Sequence, residues 1–213
     1  ALWAAHQVKK LPRQWLMNNA YTGKEYSETE ILNALKDHDY EKLDDPFKTA
    51  AKLLSEEKII GWFQGKSEYG PRALGNRSIL CSPIPAGMKD KLNAQVKHRE
   101  SFRPFAPACL EEYANEYFHL NCPSPFMLLV AKVKKDNVPA ITHIDGTGRV
   151  QTVNQNHNPK FYSLIKEFQK LTGVPVVLNT SFNDNGEPII ETPQDALKAF
   201  KSTNLDALII GDY

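Results

Sequence analysis

The order of hydrophobic and polar residues along the chain predicts helices that alternate with short strands. Helical periodicity predicts helices at 1–18 (broken at Pro12), 27–38, 46–57, 86–97, 160–171 and 193–201, and an acidic helix through Tyr113 and Tyr117. Short apolar runs predict strands at 59–64, 105–110, 126–133, 149–153, 174–178 and 205–210. This alternation is typical of an α/β or α+β protein with a mixed sheet.

Capping residues support three of these helices. Ser27, with Glu30 three residues later, has the pattern of a capping box at the start of a helix. At the last helix, Thr192 suits the N-cap position and Pro193 the first helical position. Gly173 suits the C-terminal cap of the preceding helix, 160–171.

The composition is that of an ordinary globular chain. Of 213 residues, 41% are hydrophobic and 24% charged, which suits one domain or two small ones with a buried core. No apolar run reaches the roughly 18 residues that a membrane span requires. The N-terminus lacks the features of a secretory signal, and three separated cysteines favour no disulfide framework. We therefore expect a cytoplasmic protein, and the missing initiator Met suggests a piece of a longer one.

Positive charge is concentrated in one stretch of the chain. The net charge is +1 overall, but it is −2 over 1–57, +6 over 58–103 and −3 over 104–213. A local surplus in a nearly neutral chain indicates a site for anions rather than a general polycation.

The glycine-rich segment 65–78 is the most informative motif. It reads GKSEYGPRALGNRS and carries Lys66, Arg72 and Arg77 among glycines spaced five residues apart. Glycines allow tight turns and close approach to a ligand, and arginine forks match phosphate or carboxylate. The segment matches neither a Walker A loop nor GxGxxG, and a surface turn with solvated charges is the alternative.

A second basic segment, KHRESFRPFAP at 97–107, adds Arg99 and Arg103. By itself it equally fits a solvated helix end. Together the two basic segments suggest a pocket for a polyanion such as a nucleoside triphosphate.

Two further motifs have a functional and a structural interpretation. Segment 143–153 (HIDGTGRVQTV) predicts a β-hairpin that carries Arg149, and a turn is favoured over a metal site for His143 and Asp145. Segment 179–188 (NTSFNDNGEP) follows an apolar strand, where hydroxyl and amide groups either donate to phosphate oxygens or only form a turn.

No nucleophile–base pair stands out, since GxSxG, HExxH and a Cys–His motif are all absent from the sequence. Many cations with few catalytic acids fit phosphoryl or adenylyl transfer, in which the protein mainly positions groups and neutralises charge.

Five motifs in order give the chain a recognisable pattern. GKSEYGPRALGNRSIL, KHRESFRPFAP, HIDGTGRVQTV, TGVPVVLNTSFNDNGEPII and DALIIGDY resemble the C-terminal part of NodU/CmcH-type O-carbamoyltransferases. The resemblance implies a YrdC-like domain at 55–213, an α/β (α+β) fold whose twisted mixed β-sheet has flanking helices and a basic concave face. Residues 1–54 would then be a helical N-terminal segment, the tail of the preceding carbamoyltransferase domain.

The same resemblance implies an activity and its partners. The domain would form carbamoyl-adenylate from carbamoyl phosphate and ATP with Mg²⁺. A separate N-terminal Kae1-like domain, whose His and Asp ligands hold iron or another metal, would transfer the carbamoyl group to a hydroxyl acceptor that this sequence does not identify. The 213 residues are too few for both domains, and we expect no metal site in this one.

The resemblance also suggests roles for individual residues. We expect Lys66 and Arg72 to bind carbamoyl phosphate and the α-phosphate, and Arg103 and Arg149 to bind phosphate oxygens. Asn179, Ser181 and Asn183 would hold the nucleotide, and Arg77 and Arg99 would bind it or brace the site. The family usually has Arg where this chain has Lys66, which lacks the bidentate fork.

Two alternatives remain open. A threonylcarbamoyl-adenylate synthase has the same fold and related chemistry, but the motifs at 65–78 and 143–153 disfavour it. A nucleic-acid-binding module would use the +6 segment, but that region offers few aromatic residues for stacking, namely Tyr69, Phe102 and Phe105. Binding to nucleic acid or to a membrane is therefore not expected.

Overall fold

A seven-stranded mixed sheet forms the centre of the computed structural model, which describes residues 2–14, 16–100 and 103–213. The strand order is β4-β5-β3-β6-β2-β1-β7, and β1, β4, β6 and β7 run opposite to the other three. The strands are β1 (Ile60–Phe63), β2 (Arg77–Cys81), β3 (Ala106–Leu110), β4 (Leu129–Lys132), β5 (Thr147–Val153), β6 (Val176–Ser181) and β7 (Ala207–Ile210).

Helices flank the sheet. They are α1 (Glu28–Leu35), α2 (Pro46–Ser55), α3 (Met88–Leu92), α4 (Ala114–Tyr117), α5 (Pro159–Thr172) and α6 (Pro193–Ser202). Short 3₁₀ turns lie at Glu111–Tyr113 and Pro139–Ile141, and π-helical turns at Ala4–Val8 and Asn93–Lys97. In the part of the chain that the structure describes, none of these helices is long and apolar enough to cross a membrane.

The predicted caps are confirmed. Ser27 accepts a hydrogen bond from the main chain of Glu30, whose carboxylate accepts one from the Ser27 main chain. Thr192 caps α6 in the same way, and Gly173 ends α5 at a φ of 75°. Local side-chain bonds therefore set these helix ends, as the sequence indicates.

The largest helices bury their apolar faces against each other and the sheet. In α5 the buried stripe is Phe161, Leu164, Ile165 and Phe168. The ring of Phe47 in α2 lies 6.2 Å from the Trp62 indole of β1. Phe161, near the start of α5, lies against Gly75 of the loop that joins β1 and β2.

Three sequence predictions differ from the structure, and one strand has no counterpart among the predictions. Predicted helix 86–97 is α3 followed by a π-helical turn. Predicted helix 1–18 includes residues 1 and 15, which lie outside the described residues, and its described part contains the π-helical turn Ala4–Val8 but no regular helix beyond it. Predicted strand 126–133 shortens to β4, because Met127 has a φ of 55° that an extended strand does not allow. Strand β2, which was not predicted, follows the glycine-rich segment directly and lies near the middle of the sheet.

The expected domain boundary at residue 54 does not coincide with a break in packing. Ile31, Leu35 and Leu54 belong to the same buried core as the sheet strands. Residues 20–24 also run along the glycine-rich loop, where Tyr69 donates its main-chain N–H to the Ala20 carbonyl. Residues 20–54 are therefore packed against the rest of the domain, and the origin of 1–54 in a preceding domain stays a prediction.

The strand directions gather several loops at one end of the sheet. The carboxyl ends of β1 and β6 and the amino ends of β2, β3 and β5 lie together there, because β1 and β6 are antiparallel to their sheet neighbours β2 and β3. We call this the site end of the sheet. It collects the loop 64–76, the turn 181–187 and the segments that precede Ala106 and Thr147.

Candidate anion-binding site

The loop 64–76 is organised around the carboxylate of Glu68. One carboxylate oxygen accepts main-chain N–H bonds from Leu74 at 2.7 Å, Asn76 at 2.7 Å and Arg77 at 3.3 Å. Burial raises the pKa of Glu68, and these N–H donors oppose that rise. A carboxylate at this position therefore holds the turn of the loop in one shape.

Neighbouring side chains fix the carbonyls of the same loop. The Leu74 carbonyl accepts bonds from the Tyr21 hydroxyl at 2.9 Å and the Gln151 amide at 2.7 Å. The Trp62 indole donates to the Gly75 carbonyl at 3.0 Å. Gly75 has a φ of 107°, and a Cβ there would lie 2.1 Å from the ring of Phe161. Only glycine fits between the loop and α5.

Arg77 lies in the interior, and its donors are directed at the main chain. The guanidinium stacks on Phe63 with 3.6 Å between the guanidinium carbon and the ring centroid. It donates to five carbonyls, those of Gln64, Gly65, Asn76, Glu191 and Lys24, at 2.9 to 3.3 Å. A phosphate would have to displace these bonds. Of the two roles expected from the sequence, this geometry fits bracing the loop rather than holding a nucleotide.

Three other arginines form what we call the arginine group, Arg72, Arg99 and Arg149. Burial lowers the pKa of Arg149, and the nearby charge of Arg72 lowers it further. Burial, Arg103 and Arg149 likewise lower the pKa of Arg99. Arg149 is thus near Arg72 and Arg99, and closely spaced cations of this kind stabilise an anion.

Two atoms of the arginine group are buried without a hydrogen-bond partner among the described residues. They are the Nε atoms of Arg72 and Arg149. The remaining contacts of these side chains are weak, since Arg72 donates to the Pro71 carbonyl at 3.3 Å and Arg149 lies 3.8 Å from the Met127 sulfur. Buried donors are normally satisfied, so these two indicate a missing acceptor.

The other two predicted cations lie outside this group. Lys66 is exposed, and only its main-chain carbonyl is held, by the Asn76 amide at 2.7 Å. Arg103 is also exposed and forms an ion pair with Glu100 at 2.8 Å. The preceding residues Ser101 and Phe102, which belong to the second basic segment, lie outside the described residues.

Lys97, which the sequence interpretation did not select, holds the turn that contains Ser181 and Asn183. Its ammonium donates to the Ser181 carbonyl at 2.6 Å, the Asn183 carbonyl at 2.9 Å and the Asn183 side-chain oxygen at 2.8 Å. Lys97 is only 5% exposed, and burial, together with Arg99, lowers its pKa to about 7. The sequence feature that could have identified Lys97 is its position two residues before Arg99 in the second basic segment.

A cavity of about 490 Å³ opens between the glycine-rich loop and this turn. Its walls contain hydroxyl, amide and carboxylate groups from both segments and one buried guanidinium. The lining residues include Ser67, Glu68, Arg77, Ser181, Asn183 and Glu191. Of the residues expected to hold a nucleotide, Ser181 and Asn183 therefore border an open space.

Asn179 joins the loop to the sheet. Its amide nitrogen donates to the Ala73 carbonyl at 3.1 Å and to the Gln151 side-chain oxygen at 2.9 Å. Successive side chains of a strand alternate in direction, so Asn179 and Ser181 share one face of β6. Arg149 and Gln151 share a face of β5 for the same reason, and the Asn179–Gln151 bond shows that the two faces coincide. The alternation of residues 149–153 already places Gln151 on the same strand face as Arg149, but the sequence gives no indication of its contact with Asn179.

His143 and Asp145 form a turn, as expected. The Asp145 carboxylate accepts a bond from the Thr147 hydroxyl at 2.7 Å, and that hydroxyl lies 3.1 Å from the His143 Nδ1. Over residues 2–14, 16–100 and 103–213, no group of three or more His, Cys, Asp or Glu side chains is placed to hold a metal ion.

The sequence is similar to a known family and to several characterised proteins. The family model described as "Carbamoyltransferase C-terminus" matches residues 51–213. Nodulation protein NolO of Bradyrhizobium diazoefficiens is 50% identical over 189 residues, covering 85% of this chain and 34% of NolO. The 3'-hydroxymethylcephem-O-carbamoyltransferase of Amycolatopsis lactamdurans is 39% identical over 160 residues, covering 75% and 31%. The chain thus spans about a third of the length of these relatives.

Solved structures agree on the fold. Full-length HypF, in a phosphate- and nucleotide-bound form, matches with a TM-score of 0.59 at 20% identity, over 78% of this chain and 24% of HypF. Sua5 of P. abyssi, complexed with L-threonine, matches with a TM-score of 0.59 at 16% identity, over 78% and 46%. The predicted YrdC-like mixed sheet is therefore confirmed. With the family match over 51–213 and NolO-type relatives over most of its length, the chain belongs to the carbamoyltransferase C-terminus family.

Proposed function

We propose that this domain activates a carbamoyl group as carbamoyl-adenylate, from carbamoyl phosphate and ATP, for transfer to a hydroxyl acceptor. The observation that carries the proposal is the arginine group, in which the buried Nε donors of Arg72 and Arg149 have no acceptor among the described residues. Arg99 of this group also acts electrostatically on Lys97, which holds the turn of Ser181 and Asn183. Family membership and the nucleotide-bound state of the structural relative HypF support the same conclusion.

The reaction requires little acid–base chemistry from the protein. Water attacks the carbonyl carbon of carbamoyl phosphate, inorganic phosphate leaves and carbamate remains. A carbamate oxygen then attacks the α-phosphorus of ATP, and the bond to pyrophosphate breaks. Negative charge accumulates on the transferring and leaving phosphoryl groups, so fixed positive donors are the main catalytic requirement.

The proposal gives each of these residues a role. Arg72 and Arg149 would bind the carbamoyl phosphate and the α-phosphate, with Arg99 and Arg103 beside them. Ser181 and Asn183 would contact the triphosphate from the wall of the cavity, and Lys97 would supply charge behind them. Lys66, which is exposed, would reach a phosphate only from the open side of the loop. Mg²⁺ would enter with ATP, held by phosphate oxygens and water.

The test is exchange of labelled pyrophosphate into ATP by the purified protein, with and without carbamoyl phosphate. Carbamoyl phosphate should stimulate exchange, and Arg72→Ala or Arg149→Ala should lower the rate by about 10²–10³, the usual effect of removing one charge-stabilising donor. Arg13→Ala is the matched control, because Arg13 is exposed and belongs to the N-terminal segment. Unchanged exchange in both active-site variants would contradict the assignment.

The same assay separates the related synthase chemistry. Replacing carbamoyl phosphate by bicarbonate plus L-threonine should give no exchange. Exchange with that pair alone would instead favour a threonylcarbamoyl-adenylate synthase, the activity suggested by the fold shared with Sua5.

A further inference from the structure

The amide of Asn179 has one fixed orientation. Its nitrogen donates to both the Ala73 carbonyl and the Gln151 Oε1. Gln151 cannot turn over to exchange its own atoms, since its nitrogen is bonded to the Leu74 carbonyl at 2.7 Å. Rotating the Asn179 amide by half a turn would place its oxygen against two other acceptors. The hydrogen-bond network therefore settles which Asn179 atom is the oxygen.

This orientation leaves the Asn179 oxygen without a donor. Asn179 is 1% exposed, and its Oδ1 is buried with no hydrogen-bond partner among the residues that the structure covers. A buried acceptor in this state is costly, and its presence indicates a donor supplied from elsewhere. The Asn179 amide contacts the carbonyl of Ala73, which follows Arg72, and the side chain of Gln151, which shares a face of β5 with Arg149.

Three buried polar atoms of Arg72, Arg149 and Asn179, none with a hydrogen-bond partner among the described residues, are complementary to a particular chemical group. Two are N–H donors, the Nε atoms of Arg72 and Arg149, and one is an acceptor, Asn179 Oδ1. An anion alone would use the donors but not the acceptor. A carbamoyl group attached to phosphate offers both oxygen acceptors and an NH₂ donor, and so matches all three atoms.

We propose that Oδ1 of Asn179 accepts a hydrogen bond from the carbamoyl NH₂ group and makes Asn179 the residue that selects a carbamoyl donor over other acyl phosphates. The proposal rests on the proposed function and names the substrate feature that the same site recognises. Acetyl phosphate is the informative competitor, because a methyl group replaces NH₂ at nearly the same size and the phosphate is unchanged.

The experiment measures binding of freshly dissolved carbamoyl phosphate and of acetyl phosphate to the protein by calorimetry. The unaltered protein should bind carbamoyl phosphate about 10-fold or more tightly, since a buried acceptor left unpaired by the methyl group opposes binding. Equal affinities would overturn the proposal without any variant.

A matched pair of variants separates recognition from loop damage. Asn179→Leu and Asn179→Asp both lose the amide nitrogen that holds the Ala73 carbonyl and Gln151. Only Asn179→Asp keeps an acceptor oxygen. Asn179→Leu should abolish the preference for carbamoyl phosphate, and Asn179→Asp should keep the ratio while weakening both anions. A preserved ratio in Asn179→Leu would overturn the proposal.

The outcomes also distinguish failure of the proposed function from failure of the role given to Asn179. If the unaltered protein binds neither phosphate, the proposed function fails, and this inference fails with it. If it binds both equally, only the role of Asn179 is wrong. If Asn179→Leu does not fold, the ratio in the unaltered protein and in Asn179→Asp decides the question.

Discussion

Substitution of Arg77 tests whether this cation stabilises the fold of the site or binds a ligand. Its guanidinium is fully buried, stacks on Phe63 and donates to five main-chain carbonyls. The substitution Arg77→Met keeps most of the packing against the ring but removes every donor. The carbonyls of Gln64 and Asn76 accept the two shortest of these hydrogen bonds, at 2.9 and 3.0 Å, and both bonds would be lost.

The size of the effect follows from these two shortest bonds. A hydrogen bond to a charged group contributes about 1.5–3 kcal/mol, so the pair contributes roughly 3–6 kcal/mol. Burying the guanidinium offsets part of this, as the lowered pKa of Arg77 shows. We expect Arg77→Met to lower the free energy of unfolding by about 3 kcal/mol, and the Tm by roughly 6–12 °C for a chain of this length.

Urea unfolding of Arg77→Met, Arg77→Lys and the control Arg13→Met measures this loss. Arg77→Lys should also be destabilised, because an ammonium lacks the planar fork that reaches several carbonyls together. The reasoning is refuted if Arg77→Met unfolds within about 1 kcal/mol of the unaltered protein. A variant of normal stability that no longer binds ATP would show instead that Arg77 contacts the nucleotide.

Two further predictions concern Lys97 and the loop glycines. Because burial lowers the pKa of Lys97 to about 7, its ammonium is lost as pH rises above that value, and ATP affinity measured by calorimetry should fall by up to about tenfold per pH unit. Lys97→Arg stays protonated and should abolish this pH dependence; an unchanged dependence would exclude Lys97 as its source. Gly75→Ala should lower the free energy of unfolding by about 2–4 kcal/mol, from backbone strain and contact with Phe161. Gly70→Ala, at a φ of 113° with no atom within 4 Å of the new Cβ, should cost only the strain of about 1–3 kcal/mol, so equal losses would contradict the contact with Phe161.

The fold class, the family and most of the local elements could be predicted from the sequence alone. Periodicity and capping residues specify α2, α5 and α6, because these signals act within a few neighbouring residues. The arginines and the Ser181–Asn183 turn were also identified from the sequence, since their chemistry is visible in the residue types.

Which of those residues share a site depends on long-range packing and could not be predicted from the sequence. Arg77 and Arg72 lie five positions apart in one motif, yet one donates to main-chain carbonyls and the other keeps a buried donor without a partner. Lys97 and Gln151 acquire their roles from Asn183 and Asn179, which are 86 and 28 residues away. Contacts of this kind depend on strand order and register, which no local sequence signal contains.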